Sequence, residues 1–258
     1  MGLKEGTLKS LVEKENDLTE PTANSVFSQI LQAIDYLAYN DIVHRDVKPE
    51  NILYISAPSG QYHFQIGDFG TCNRDIAAAT YAGIPIFMDP EIVQGGNQTP
   101  KVDVWSLFVT MLWCANTGGF RQNAFRFNNP KDRQEEVIRI ASNDHIFSKV
   151  QEMAILDPVQ RASAAQIIVK IFSGERLTTP RNHVPALPNR PLFAAATTET
   201  PTAPSPILAT RFPQPRRRLL SWRVSISPAP NRVEKVRGAA QIPNTRRLRD
   251  IRLMQNGE

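Results

Sequence analysis

Apolar periodicity runs through the first two-thirds of this 258-residue chain and stops near Ser173. Twelve of the 20 prolines fall in the last 85 residues, together with arginine clusters in PRRRLLSWR and NTRRLRDIR. Such a segment buries too little apolar surface to offset the entropy that it loses on ordering. The sequence therefore predicts one folded domain over residues 1–173 and a disordered, Pro/Arg-rich basic tail over residues 174–258.

Charge divides the chain at the same point. Residues 1–173 hold 15 Lys and Arg against 20 Asp and Glu, a net charge of −5, whereas residues 174–258 hold 15 against 5, a net charge of +10. A basic tail can bind nucleic acid or an anionic surface, but a solvated, disordered charge run is the commoner outcome. Nucleic-acid binding by the tail is therefore kept as the less favoured alternative.

The cysteine and apolar patterns favour an intracellular protein of the cytoplasm or nucleus. Cys72 and Cys114 have neither a paired framework nor metal-ligand spacing, which suits a reducing compartment. The longest apolar run, residues 104–115, is too short to span a bilayer, so we expect a buried helix and no membrane span. The N-terminus also lacks the basic and then apolar pattern of a signal peptide.

Apolar spacing of three and four residues predicts a mainly helical fold. The clearest helix runs from Thr22 to Leu37, with Thr19 as its N-cap. Further helices are predicted over residues 146–155 and after Ser163, which would cap the last one. The segments NILYIS and YHFQI read as two short strands joined by the turn APSG, a β-hairpin directly after the most polar loop of the domain.

That loop, VHRDVKPEN, contains the first of a set of polar residues whose spacing is specific enough to indicate a functional site. Asp46, Lys48 and Asn51 follow His44, and Asp68 stands seventeen residues after Asn51 in GDFG. A lone aspartate in a loop is most simply a solvated charge, but this joint spacing is far more specific than a single glycine-rich loop. These motifs resemble those of eukaryotic-type protein kinases of the serine/threonine type. The resemblance covers the C-terminal lobe of that fold.

The resemblance implies ATP-dependent phosphoryl transfer to a Ser or Thr hydroxyl of a protein substrate, with ATP and Mg²⁺ as cofactors. Asp46 would orient the substrate hydroxyl and accept its proton, and Lys48 would hold the γ-phosphate. Asn51 and Asp68 would hold Mg²⁺, which prefers oxygen ligands, and Leu53 would form the floor under adenine. These residue types suit a reaction that is catalysed by positioning and charge neutralisation.

Two further roles follow from the same resemblance. Glu91 and Arg161 would form a buried ion pair that ties the activation segment to the late helices, and breaking such a pair from one side is costly. Asp103, which opens DVWSL, would brace the catalytic loop through its backbone. Phe108 replaces the glycine usual in the buried helix, and Asp89 replaces a small alanine before Pro90.

The resemblance starts at the hinge between two lobes. The glycine-rich loop and the strand lysine that anchors ATP are therefore expected to be missing, or to be supplied by a separate N-lobe or a partner kinase. Ile84 stands where the family has a threonine, so it brings no hydroxyl to Asp46 and Lys48. These departures favour an alternative, a catalytically weak or dead pseudokinase-like scaffold. A third possibility is an unstable fragment with an exposed interlobe face.

Overall fold

A computed structural model describes residues 4–15, 17–72, 85–127 and 129–187. The helices within these ranges are α1 (Leu8–Glu15), α2 (Glu20–Tyr39), α3 (Pro90–Gln94), α4 (Lys101–Ala115), α5 (Phe120–Asn123), α6 (Pro130–Asn143) and α7 (Ala164–Phe172). The strands are β1 (Gly6–Thr7), β2 (Ile52–Ser56) and β3 (Tyr62–Ile66). The prediction of a mainly helical fold is confirmed. We call these elements together the lobe.

Helix α2 starts at the predicted N-cap. The backbone of Thr19 is extended, and its hydroxyl accepts a hydrogen bond from the Thr22 N–H at 3.4 Å. Pro21 lies in the first turn, where the helix needs no backbone donor. The buried residues that recur at three- and four-residue spacing are Val26, Phe27, Ile30, Leu31 and Ile34. They place one apolar face of α2 toward the core, which it shares with α4 and α7.

Helix α4 forms the centre of the core. All thirteen residues from Val102 to Cys114 are buried. A mostly apolar helix that is buried on every side has to be enclosed by other elements, as the sequence predicted for the run over residues 104–115. Among the described residues, no helix is both long and apolar enough to cross a membrane.

The predicted hairpin is confirmed as the antiparallel pair β2 and β3, in which Ile52 lies opposite Ile66. A third strand, β1, pairs antiparallel with β2 and places Gly6 opposite Tyr54. The sheet order is therefore β1-β2-β3. Strand β1 was not predicted, because two residues are too few to show the alternation by which strands are recognised.

The helix predicted over residues 146–155 is a 3₁₀-helix, Phe147–Ala154, and not an α-helix. Its buried residues Phe147, Val150 and Met153 are spaced by three, which equals one turn of a 3₁₀-helix. The backbone of Val150 departs from helical angles and interrupts it. Further 3₁₀-helices within the described ranges are Phe69–Thr71, Pro85–Phe87, Thr117–Gly119, Ala124–Arg126 and Arg181–His183.

Helix α7 begins at its predicted N-cap, Ser163, which forms a capping box with Gln166. The Ser163 hydroxyl accepts from the Gln166 N–H at 3.2 Å, and the Gln166 side-chain oxygen accepts from the Ser163 N–H at 2.8 Å. Two donors that the helix leaves unsatisfied at its start are thereby paired.

Residues 174–187, which we call the C-terminal strap, follow α7 and lie against the lobe. The side-chain amide of Gln166 donates to the carbonyl oxygens of Pro185 and Ala186 at 3.1 and 3.2 Å. The strap belongs by sequence to the predicted tail. The remainder of that tail, residues 188–258, lies outside the described residues.

Candidate active site

Three of the predicted site residues meet in the loop between α2 and β2. Asp46 Oδ2 accepts from Lys48 Nζ at 2.7 Å and from Asn51 Nδ2 at 2.7 Å. Asn51 Nδ2 also donates to the Asp46 carbonyl oxygen at 2.9 Å. The side chains of Asp46 and Lys48 are 25% and 18% exposed. The loop thus gathers a carboxylate, an ammonium group and an amide at a partly desolvated surface, where charges interact more strongly than in water.

The orientation of Asn51 suits a metal ligand. Both of its contacts to Asp46 use the side-chain nitrogen, so the side-chain oxygen is left to accept from, or coordinate, a further group. Its backbone is fixed as well, because its N–H donates to the Lys48 carbonyl at 3.0 Å and its carbonyl accepts from the Gly67 N–H at 2.7 Å. The donor chemistry therefore fits a hard cation such as Mg²⁺.

Asp68 lies next to this loop through its neighbour Gly67. The Asp68 backbone is left-handed (φ 56°, ψ 70°), and its Oδ1 accepts from the Gly70 N–H at 3.3 Å. Its carboxylate is exposed, and within the described part of the chain no hydrogen bond joins it to Asp46 or Asn51. Left-handed non-glycine residues cluster at functional sites, where the surrounding structure holds them.

Among the described residues, no group of three or more His, Cys, Asp or Glu side chains could hold a metal ion. The predicted ligand set has one carboxylate, Asp68, and one amide, Asn51, and is too small to form such a group. Protein sites for Mg²⁺ commonly use one or two carboxylates and complete the shell with phosphate and water oxygens. The residues present therefore fit Mg²⁺ that arrives with a nucleotide.

His44 orders the start of the loop between α2 and β2. It is fully buried, its Nε2 lies 2.9 Å from the Gly67 carbonyl oxygen, and its Nδ1 lies 3.3 Å from the Asp46 backbone nitrogen. An N–H can only donate, so Nδ1 is the acceptor and Nε2 carries the hydrogen. Burial lowers the pKa of His44, while the Gly67 contact and Asp46 raise it. A neutral ring in this tautomer connects the Asp46 backbone to the segment that carries Asp68.

Asp103 braces the same loop from helix α4. It is fully buried, and its two oxygens accept from the backbone N–H groups of His44 and Arg45, each at 2.8 Å. Burial raises the pKa of Asp103 to about 7, although the two amides lower it. Arg45 adopts a left-handed φ of 70°, which is costly for a non-glycine residue. The contact of Asp103 with the loop backbone that the resemblance implies is therefore present. It holds the strained backbone of Arg45, the residue before Asp46.

At pH 5, where Asp103 is protonated in the folded state, we expect Asp103→Asn to lower the free energy of unfolding by about 1–3 kcal/mol, because the amide nitrogen cannot accept the backbone N–H that the second carboxyl oxygen accepts. Urea denaturation of the full chain measures this loss. Asp132→Asn is the matched control, since Asp132 also lies in the first turn of a helix but is exposed. Equal losses in the two variants would show that the brace contributes nothing.

Polar residues of α4 that sequence analysis passed over extend this brace. Thr110 Oγ1 donates to the Val47 carbonyl at 3.4 Å, and Ser106 Oγ donates to the Phe87 carbonyl at 2.9 Å. Asp103, Ser106 and Thr110 are spaced by three and four residues, so they share one face of the helix. That spacing inside an apolar run is a signal that could have identified them.

The ion pair between Glu91 and Arg161 is confirmed, and it is bidentate. Arg161 Nη1 and Nη2 donate to the two Glu91 carboxylate oxygens at 2.9 and 2.8 Å. The remaining N–H groups of Arg161 donate to the carbonyl oxygens of Ile155, Lys101 and Leu156. All five donors of a guanidinium that is 0% exposed are thus used.

Asp89, which replaces a small residue of the family pattern, has a structural use. Its side chain accepts from the Ile92 N–H at 2.9 Å and caps helix α3. It is almost fully buried, and burial raises its pKa to about 6; Glu91 raises it further, whereas the Ile92 N–H and Arg161 lower it. The cap therefore places a second acid beside the ion pair.

We expect Asp89→Asn to stabilise the lobe at pH 8 by about 1–3 kcal/mol, with asparagine keeping the cap. The folded state holds the Asp89 proton up to about pH 6, whereas the unfolded chain releases it near pH 4, so wild-type stability falls as pH rises through this window. The asparagine variant lacks this loss. Urea denaturation at pH 5 and pH 8 should give the larger gain at pH 8; a larger gain at pH 5 would contradict this assignment.

Leu53 lies in β2 opposite Thr7 of β1 and close to Gly67. A Cβ atom added at Gly67 would come within 2.9 Å of Leu53 Cδ1, so the glycine lets the backbone pass close to this side chain. Leu53 thus lies between β1 and the segment that carries Asp68. Its role under an adenine ring stays a prediction, and Ile84 lies outside the described residues.

Comparison with known proteins agrees with this arrangement. The family model described as "Protein kinase domain" matches residues 2–173. The chain belongs to the protein kinase family. Calcium/calmodulin-dependent protein kinase type IV of Mus musculus is 30% identical over 181 residues, which cover 63% of this chain and 37% of that protein. The SNF1-related protein kinase catalytic subunit alpha KIN12 of Arabidopsis thaliana is 36% identical over 170 residues, which cover 64% and 34%.

A shorter match is to calcium/calmodulin-dependent protein kinase type 1 of Macrobrachium nipponense, 36% identical over 122 residues, which cover 46% of this chain and 35% of that protein. The chain spans roughly a third of the length of these curated relatives. The matches therefore show membership of the family, and they cover only the corresponding part of each relative.

Proposed function

We propose that this chain carries the phosphoryl-transfer site of a serine/threonine protein kinase, which moves the γ-phosphoryl group of ATP to a Ser or Thr hydroxyl of a protein substrate. The main support for the proposal is that Asp46, Lys48 and Asn51 form a hydrogen-bonded group in a single loop.

We assign the chain to the cytoplasm or nucleus, because the cysteine pattern suits a reducing compartment.

The roles follow from the chemistry of these groups. Asp46 accepts the proton of the substrate hydroxyl and orients its oxygen for in-line attack. Lys48, already 2.7 Å from the same carboxylate, balances the negative charge of the transferred phosphoryl group. Both groups are held before the reaction begins, which is the main way that a protein assists phosphoryl transfer.

Nucleotide binding is assigned to four residues: Lys48 at the phosphates, Asn51 and Asp68 at the metal, and Leu53 beneath the base. Mg²⁺, when bound, would neutralise phosphate oxygens. On the protein side, the Asn51 side-chain oxygen is left over after its nitrogen has bound Asp46, and the Asp68 carboxylate is exposed. Both side chains therefore have an oxygen that could coordinate Mg²⁺.

A second function, a catalytically weak or dead scaffold of the same family, is favoured by one specific observation. Ile84 supplies no hydroxyl to bridge Asp46 and Lys48. A lobe without this bridge would bind kinase partners or substrates and transfer little or no phosphate.

Nucleotide binding separates the two functions. If ATP with Mg²⁺ occupies the site at tenfold excess over its Kd, the lobe gains about 1.4 kcal/mol, a rise in Tm of roughly 3–6 °C. We expect this rise for the full chain in a thermal-shift assay, and its loss in Asp68→Asn or when EDTA replaces Mg²⁺. Glu135→Gln, on the exposed surface of α6, is the control and should keep the rise. No rise at any nucleotide concentration up to 10 mM would favour the scaffold.

A further inference from the structure

The C-terminal strap is tied to helix α2 by one buried carboxylate. Asp35 is 1% exposed, and its Oδ2 accepts from the backbone N–H groups of Thr178 at 2.7 Å and Thr179 at 3.1 Å. Its Oδ1 accepts from the Thr179 hydroxyl at 2.6 Å. Two consecutive strap residues therefore supply three donors to an acid that could not otherwise be buried at acceptable cost.

Other contacts hold the rest of the strap less tightly. Arg181 Nη1 donates to the Ser173 carbonyl at 2.8 Å, in an exposed position. Leu177 and Leu187 are only partly buried where they pack against the core. Within the described residues, the contact with Asp35 is therefore the most deeply buried polar attachment of the strap, beside the contacts of Gln166 with Pro185 and Ala186.

We propose that Thr179 is a phosphorylation site, at which a proline-directed protein kinase acting in trans detaches the strap from the lobe. Pro180 follows Thr179 directly, and its backbone is extended (φ −52°, ψ 132°). Thr178 and Thr179 lie in neither helix nor strand, and Thr179 is partly exposed. The segment can thus be presented to another enzyme as an extended peptide once its hydrogen bonds to Asp35 open.

The reaction is an ordinary phosphoryl transfer. The Thr179 hydroxyl oxygen forms a bond to the γ-phosphorus of ATP, the bond from that phosphorus to the bridging oxygen of ADP breaks, and the hydroxyl proton passes to the base of the modifying kinase. The proposal is independent of whether this chain transfers phosphate itself.

The modification reverses the chemistry of the attachment. A hydroxyl that donates to Asp35 at 2.6 Å is replaced by a phosphate that accepts only and carries close to two negative charges. Phosphate beside a carboxylate is repelled and loses hydration if it stays buried, so the modified residue cannot return to its place. The Asp35 carboxylate of α2 then loses the donors that Thr178 and Thr179 had supplied. Helix α2 leads directly into the loop that carries Asp46.

The test uses the purified full chain, a proline-directed kinase and ATP, followed by mass spectrometry and amide hydrogen exchange. We expect phosphate on Thr179 and at least tenfold faster exchange of the Thr178 and Thr179 amides, with faster exchange in α2 around Asp35. Ser205 and Ser227, each followed by proline in the tail, serve as internal controls for the kinase.

Matched variants separate the hydroxyl from the fold. Thr179→Val should take up no phosphate in the strap peptide, whereas Thr178→Val should be phosphorylated like wild type, because Thr178 binds Asp35 through its backbone N–H. Thr179→Glu should show fast exchange without any kinase, and Thr178→Glu should show a smaller increase. Phosphate on Ser205 and Ser227 with none on Thr179, or phosphate on Thr179 with unchanged exchange, would overturn the proposal.

Discussion

Replacing Arg161 with methionine is expected to lower the free energy of unfolding by about 3–5 kcal/mol, a large part of the 5–15 kcal/mol that a domain typically has. The variant leaves the Glu91 carboxylate, which is nearly fully buried, without its counter-charge. It also removes the N–H groups that donate to the carbonyl oxygens of Ile155, Lys101 and Leu156. Loss of these partners is costly because buried polar groups have no water to replace them.

The control for this prediction is a surface pair of the same type. Arg139 forms a bidentate contact with Glu136 one turn earlier on α6, and its side chain is 58% exposed. Arg139→Met should therefore cost no more than about 1 kcal/mol. The double variant Glu91→Met with Arg161→Met should recover part of the loss, because it removes the uncompensated charge. Urea denaturation in which Arg161→Met and Arg139→Met lose the same amount would contradict this account.

The parts of the site that could be predicted are those fixed by local chain geometry and those implied by the family motifs. Asp46, Lys48 and Asn51 lie within six residues, so a single loop conformation brings them together. The caps at Thr19 and Ser163 are equally local, since each depends on a side chain and an N–H three residues away. Such features are specified by short-range sterics and hydrogen bonding. The contacts of Glu91 with Arg161 and of Asp103 with the loop are long-range, and only the resemblance implied them.

Long-range contacts outside the family motifs left no comparable signal. Asp35 meets Thr178 and Thr179 across more than 140 residues, and nothing in the α2 pattern marks Asp35 as buried. Helix α6 was also missed, because few of its residues are apolar; those buried are Gln134, Val137, Ile140 and Ala141. Its start is capped by Asn129, whose side chain accepts from the Asp132 N–H, a signal that was available in the sequence.

The central claim is that Asp46 acts as the base of a phosphoryl-transfer site, and Asp46→Asn tests it at small structural cost. Asparagine keeps the size of the side chain and one acceptor oxygen, but it cannot take up the substrate proton. A positioned general base typically contributes about 100- to 10,000-fold to a rate, so we expect the variant to lose at least about 100-fold in transfer. Thermal melting of both proteins establishes that the variant is folded.

The measurement is transfer of labelled γ-phosphate from ATP with Mg²⁺ to a generic basic protein, made with the full chain at equal concentrations of wild type, Asp46→Asn and the exposed-site control Glu135→Gln. The account predicts transfer by wild type and by the control, with transfer by Asp46→Asn lower by about 100-fold or more. Wild-type protein that transfers no more phosphate than Asp46→Asn would contradict the claim.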